Sequence, residues 1–289
     1  MVNWALARRL GWEILLRIED LDTPRVKPGA IDETIEILTW LGMDWDGRPT
    51  IQSADLEPYR AAMRRLAETG WVYACSLTRT EIEASASAPQ EGVHESRFGP
   101  ELRPAYRPRQ FVDEHTNWRL EVADESIAFV DGFRGPVTVN PSAEVGDFVV
   151  WTRRGQPSYQ LAVVVDDHRQ GVTQIVRGDD LLGSTGRQLL LARSLGLEWR
   201  AAYTHLPLVR GSDGRRLAKR HGDTRLSSYR DRGVRAERVV GLLGWWCGLT
   251  QERTEMSPAE FSSALDLDRM KREDIVFTQE DEQWLAART

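Results

Sequence analysis

The sequence has little cysteine and no long apolar run. Its two cysteines, Cys75 and Cys247, stand far apart in 289 residues. That excludes a disulfide framework and a sequence-local metal site, and it fits a reducing cytoplasm. The longest apolar stretch, Val239 to Leu249, is 11 residues and holds three glycines. A spanning helix needs roughly 18 residues, so this stretch reads as core. The opening Met1-Val2-Asn3-Trp4-Ala5 lacks the basic-then-apolar pattern of a secretory leader. Internal repeats and low-complexity tracts are also missing. Hydrophobic residues at 41% and charged residues at 28% are ordinary for a globular chain, which excludes disorder as the main state. A cytoplasmic protein with no membrane partner is expected.

Positive charge is in deficit overall: 38 Lys and Arg against 44 Asp and Glu leave a net −6. That argues against coating nucleic acid by bulk charge. The distribution is uneven, however. Arg210 to Arg238 holds ten Lys and Arg and four Asp and Glu. This segment is able to face phosphates, although a solvated loop and helix face explains the charge equally well. The eleven Trp decide nothing alone, because Trp both fills cores and stacks on bases.

The residue pattern is that of an α/β chain. Asn3 to Leu10 reads as a helix stopped by Gly11, and Glu13 to Glu19 as a buried parallel strand. Asp20 to Gly29 reads as a loop. Apolar residues at helical spacing follow from Ile31 to Leu41 and from Leu56 to Leu66, ending at Gly42 and Gly70. Thr78 to Glu81 fits a capping box. Trp118 to Val122, Ile127 to Val130 and Asp147 to Trp151 read as strands. Ser158 to His168 and Thr185 to Leu195 read as helices, Val172 to Arg177 and Tyr203 to Val209 as strands. Four regions are expected: 1–70 as the first part of a catalytic domain, 71–155 as a partly β insertion, 156–222 as its second part with a basic loop, and 223–289 as a small helical region.

Two stretches carry chemistry. Leu16 to Arg25 is a strand running into carboxylates and arginine. Ligands of open parallel sheets bind beyond the carboxyl ends of strands, where Glu19 would meet an amine; a charge at the start of the following helix is the plainer alternative. Gly211 to Gly222 is a glycine-bearing loop rich in Lys and Arg, suited to a polyphosphate whose charge shifts during reaction. A surface loop that happens to be basic is the alternative there.

Three further stretches complete a pattern with the first. Arg17 to Arg25, Tyr159 to His168, Val176-Arg177-Gly178-Asp179-Asp180-Leu181-Leu182 and His205-Leu206-Pro207-Leu208-Val209 come in the order found in class I glutamyl-tRNA synthetases, and the chain resembles that family over nearly its whole length. Arg216-Leu217-Ala218-Lys219-Arg220 occupies the place of the family's KMSKS loop. The resemblance implies a Rossmann-like parallel sheet and a two-step reaction: glutamate attacks the α-phosphate of ATP to give glutamyl-adenylate, and the acyl group passes to tRNA. By the same resemblance Glu19 holds the substrate ammonium, and Tyr159 shapes the amino-acid pocket. Arg177 pairs with the substrate's side-chain carboxylate, fork to fork. Lys219 grips the ATP phosphates as the catalytic lysine, and the Pro207, Leu208 and Val209 backbone lies near adenine. Asp180, Arg216 and Arg220 are weaker candidates. Mg²⁺ is implied by ATP chemistry.

Within the family the chain is similar to the short paralogues that put glutamate on queuosine in the anticodon of tRNA(Asp). It ends soon after the helical region, and Val163 stands where the longer synthetases carry Asn. Lys219 to Thr224 reads more like a full-length synthetase charging a tRNA 3′ end, which keeps that alternative open. A monomer is expected.

Three departures from the family pattern stand out. The first strand and the HIGH motif are missing, and none of His94, His115, His168, His205 and His221 lies in a His-x-Gly-His sequence. A fragment or misplaced start is expected, since Glu19, Tyr159, Arg177 and Lys219 are intact; a non-catalytic tRNA-binding paralogue is the alternative. The family's frequent Cys-x-Cys zinc site is broken, with Leu77 two places after Cys75, so no zinc is expected and Cys75 becomes a small core residue. Asp166-Asp167-His168 reads as helix-end charge rather than a metal site. Finally, Arg216 and Ala218 replace a Lys and a Ser of the KMSKS loop.

Overall fold

The structure, a computed structural model, describes residues 1–22, 26–78, 80–82, 97–198, 200–215, 217 and 224–287. These fall into two compact units. The first comprises Met1–Ile51, Val176–Asp180 and Thr204–Thr289, the second Gln52–Ile175 and Leu181–Tyr203. No helix among the described residues is long and apolar enough to cross a membrane.

In the first unit, helix α1 (Val2–Leu10) ends where Gly11 takes φ 67°. Its apolar face, Ala5, Leu6 and Ala7, is buried, and Ser262 Oγ donates to the Ala5 carbonyl at 2.9 Å. Ser262 lies on α9 (Pro258–Ala264), which starts with a Ser257–Glu260 capping box and contributes the fully buried Phe261. Burying such an aromatic side chain is worth about 2–3 kcal/mol. Strand β1 (Arg17–Ile18) pairs in parallel with β2 (Thr50–Ile51), and α2 (Ala30–Trp40) lies between them in sequence. After a link at Pro207-Leu208, β11 (Val209–Arg210) pairs in parallel with β12 (Ile275–Val276). Three more helices complete the unit: α7 (Leu226–Asp231), α8 (Ala236–Trp246) and α10 (Gln279–Ala286).

In the second unit, α3 (Glu57–Thr69) buries Tyr59, Met63, Leu66 and Ala67 along one stripe. Strands β3 (Val72–Cys75), β4 (Asn117–Leu120), β7 (Phe148–Thr152) and β8 (Gln156–Pro157) form an antiparallel sheet in that order. Trp118 and Trp151 from this sheet are fully buried and meet the Phe111 ring edge-on, with centroids 5.3 and 5.1 Å away. A second four-stranded sheet runs in the order β6 (Gly135–Val139), β5 (Ile127–Asp131), β10 (Ala202–Leu206), β9 (Gln174–Gly178). The chain passes from one unit to the other within β9 and β10. The one-turn α4 (Pro141–Glu144), α5 (Tyr159–Arg169) and α6 (Leu182–Ser194) complete the unit. Ser158 caps α5 by accepting from Leu161 N–H. Gln160 to Asp167 are all buried, so α5 is a core helix.

Most expected elements are present, with shifts at their ends. The Glu13–Glu19 strand is a correction: only Arg17 and Ile18 pair, because the partner β2 is two residues long, and Leu15 is 41% exposed. Tyr203–Val209 is two strands, since Pro207 has no N–H to donate. The region after residue 223 also holds a strand, β12, whose partner lies far away in sequence. Strands β2, β3, β6 and β8 carried no clear alternation and were not foreseen. The Thr78–Glu81 capping box is formed: Thr78 Oγ1 and N each lie 2.7 Å from Glu81 Oε2.

Candidate active site

The ends of β9 and β10, which belong to the first unit, bring two of the quoted stretches together. Arg177, near the end of β9, donates from Nε to His205 Nε2 on the neighbouring β10 at 3.0 Å. His205 is fully buried and Arg177 half-buried. One residue on, Gly178 leaves no room for a side chain. A Cβ there would lie 2.7 Å from Asp180 Oδ1 and 2.9 Å from Leu208 Cδ2. Glycine thus lets the Arg177–Asp180 turn settle against the Pro207–Val209 link. Arg177, Asp180, His205 and Leu208 therefore share one corner at the ends of β9 and β10. Such strand ends are where open α/β sheets take ligands.

The link is also held from the other side. Leu208 N–H donates to Asp274 Oδ1 at 2.9 Å, and Arg210 Nε pairs with the other Asp274 oxygen. Ile275 N–H donates to the Leu208 carbonyl, and Phe277 N–H to that of Arg210, both at 2.8 Å. Beyond β11 the chain turns through Gly214, at φ 71°, with Gly211 N–H bonded to the Arg215 carbonyl at 2.8 Å. This stem anchors the basic loop. Lys219, Arg216 and Arg220 lie outside the described residues.

Glu19 follows β1 in the first unit. It is exposed, and its Oε1 lies 3.2 Å from Arg17 Nη2. It does not start the next helix, whose first turn carries Asp32 and Glu33 instead. Tyr159 belongs to the second unit, where it is the first residue of α5 and 41% exposed. Val163 is buried in the same helix.

Asp166 is a structural acceptor: Gln52 Nε2 and Tyr59 OH donate to its Oδ2 at 2.9 and 2.7 Å. Among the described residues, no group of three or more His, Cys, Asp or Glu is placed to hold a metal ion. Cys75 packs in an apolar cluster with Tyr73, Ile82 and Phe98. Cys247 is also buried, and burial pushes its thiol up to about 11. His205 and Asp274 were missed as site residues. His205 stood inside a quoted motif, whereas Asp274 had no signal, being more than sixty residues from the groups it binds.

The family described as tRNA synthetases class I (E and Q), catalytic domain, matches residues 1–284. The chain belongs to this family. Membership of this class I synthetase family implies use of ATP. The chain is 42% identical to glutamyl-Q tRNA(Asp) synthetase of Symbiobacterium thermophilum, over 95% of this chain and 88% of that protein. It is 44% identical to the protein of that name from Rhodopirellula baltica, over 83% of this chain and 76% of the other. A glutamate–tRNA ligase of Azorhizobium caulinodans is 36% identical over 94% of this chain, which spans 58% of the longer protein. Among solved structures, a glutamate tRNA ligase from Elizabethkingia meningosepticum in complex with its amino acid superposes with a TM-score of 0.79 at 24% identity. It covers 98% of this chain, which spans 64% of that one. The likeness shows the class I synthetase fold, the α/β architecture with parallel strands expected from the sequence.

Proposed function

We propose that this protein activates glutamate with ATP and transfers the glutamyl group to queuosine in the anticodon of tRNA(Asp). The observation that carries the reading is the Arg177 fork, held by His205 at a strand end beside the Pro207–Val209 link. It is supported by the 42–44% identity to the two glutamyl-Q tRNA(Asp) synthetases.

In this proposal Arg177 takes the side-chain carboxylate of glutamate and Glu19 its ammonium group. Tyr159 shapes the amino-acid pocket. The Pro207, Leu208 and Val209 backbone receives adenine, with the N–H and C=O of Leu208 fixed by Asp274 and Ile275. Lys219 neutralises the phosphates as pyrophosphate leaves, with Arg216 and Arg220 adding positive charge and Asp180 serving the substrate or ribose side. Mg²⁺ enters as part of the MgATP substrate. Positioning and charge stabilisation supply the rate, since the mixed anhydride needs no protein nucleophile. The regions 1–70, 71–155, 156–222 and 223–289 are proposed as the two catalytic segments, the insertion and the terminal region.

Transfer of labelled glutamate followed by nuclease mapping of the tRNA tests the acceptor. Label in the anticodon-loop fragment is expected. Label on the terminal adenosine would instead assign the activity of a glutamate–tRNA ligase. Absence of glutamate-dependent ATP–pyrophosphate exchange would favour a non-catalytic tRNA-binding role.

A further inference from the structure

We infer that His205 is the positioning residue for Arg177: it sets the plane and direction of the guanidinium for the substrate's side-chain carboxylate. The inference rests on the glutamate-binding role proposed for Arg177.

The argument begins with the protons. Arg177 Nε carries one hydrogen, and it is donated to His205 Nε2 at 3.0 Å. An imidazole nitrogen accepts only when bare, so His205 is neutral and carries its proton on Nδ1. The ring itself is fixed, since His205 is fully buried on β10 beside β9.

Three consequences follow for Arg177. The guanidinium is planar and turns about the Cδ–Nε bond, so a partner at Nε pins the plane. With Nε committed, the side-on edge formed by Nε and one Nη is closed to a carboxylate. A carboxylate that makes two parallel N–H···O bonds to this guanidinium would therefore use the Nη1–Nη2 edge. Lastly, a neutral imidazole at Nε adds no negative charge of its own beside the guanidinium. An Asp or Glu at the same place would orient it equally well but would compete with the substrate carboxylate.

The test uses the full chain and two readouts. In the ligand-free protein at neutral pH, a long-range ¹H–¹⁵N spectrum should show His205 protonated at Nδ1 and bare at Nε2. A ring protonated at Nε2, or at both nitrogens, overturns the inference. The second readout is glutamate and ATP affinity by calorimetry for His205→Gln and His205→Leu. The glutamine amide oxygen supplies an acceptor near the position of Nε2, and leucine supplies bulk alone. Gln should keep glutamate affinity within about threefold while Leu loses about tenfold or more, with ATP affinity unchanged in both. Equal losses in the two variants, or matching losses of glutamate and ATP, would assign His205 to packing. Should the Leu variant not fold, the tautomer and the Gln variant decide. Unchanged glutamate affinity in Arg177→Ala would remove the role proposed for Arg177. The tautomer readout distinguishes that failure from a failure of the His205–Arg177 bond.

Discussion

Asp274 fixes the backbone of Leu208, accepting its N–H at 2.9 Å, and spends its second oxygen on Arg210. The strand that follows Asp274 then donates back to the Leu208 carbonyl at 2.8 Å. Asp274→Ala frees both the link and the stem of the basic loop. Hydrogen bonds to a charged group are worth about 1.5–3 kcal/mol, and the pair is partly exposed, so a loss of about 1–2 kcal/mol in ATP affinity is expected, with less for glutamate. Calorimetric titration with each ligand checks this, and an equal loss for both would contradict it.

Arg177 is half-buried in the free protein; bound glutamate would cover the pair, so Arg177→Ala should weaken glutamate by about 2–4 kcal/mol and leave ATP nearly unaffected. Arg177→Lys should not restore binding, because a point charge lacks the planar fork. Equal losses for both ligands would make Arg177 a structural residue. Competitive binding of the two ligands reads the difference.

Gly178→Ala tests the close approach behind this corner. The added methyl would stand 2.7 Å from Asp180 Oδ1 and 2.9 Å from Leu208 Cδ2, so both side-chain tips must move. Asp180 is exposed and turns away easily, so the cost lies at the low end of overpacking, about 1 kcal/mol. Chemical denaturation should show that loss, and ATP affinity should fall with it.

In the second unit, Asp147 is fully buried and Arg103 meets it with two bonds, Nε to Oδ2 at 2.7 Å and Nη2 to Oδ1 at 2.8 Å. Val122 N–H donates to the same carboxylate at 2.8 Å. Asp147→Ala removes the buried acceptor of both bonds and leaves Arg103 with Glu121, 2.9 Å from its Nη1, and the Val122 carbonyl; two charge-assisted hydrogen bonds and the one from Val122 N–H are lost, which should cost about 2–3 kcal/mol. Denaturant midpoints with and without the substitution measure it; a change within error would place the pair in solvent.

Tyr73 donates to Asp147 as well. Burial first, and that hydrogen bond second, raise its phenol above the ordinary value of 10. A group raised on folding contributes stability fully below its unfolded pKa, and the contribution is lost as pH rises through the folded value. Folding stability should therefore decline above pH 10 more steeply in the wild type than in Tyr73→Phe. Urea unfolding on either side of that pH tests the sign.

Much of the architecture was legible residue by residue. Gly11, Gly42, Gly70 and Gly196 all carry positive φ at the places where helical periodicity stopped. The Thr78–Glu81 box was readable because its partners are three residues apart. Strands were harder to read. β3 and β6 lack an alternation that separates them from loop, and a two-residue strand such as β2 has no period at all. The sense in which 13–19 is a strand depends on its partner's length, and that length is not written locally.

The site divides along the same line. Glu19 stood out from the chemistry of its own stretch, whereas Tyr159, Arg177 and the Pro207–Val209 link were singled out by the order of motifs that the chain shares with the synthetase family. Local pattern also determined the helices, since their bonds close within a few residues. Only the tertiary structure decided that His205 takes the Arg177 Nε–H, that Gly178 admits Leu208, and that Asp274 holds the link. Those are contacts between residues dozens of positions apart, and a hydrogen bond at such separation exists only once the packed strands have brought donor and acceptor within 3 Å of one another.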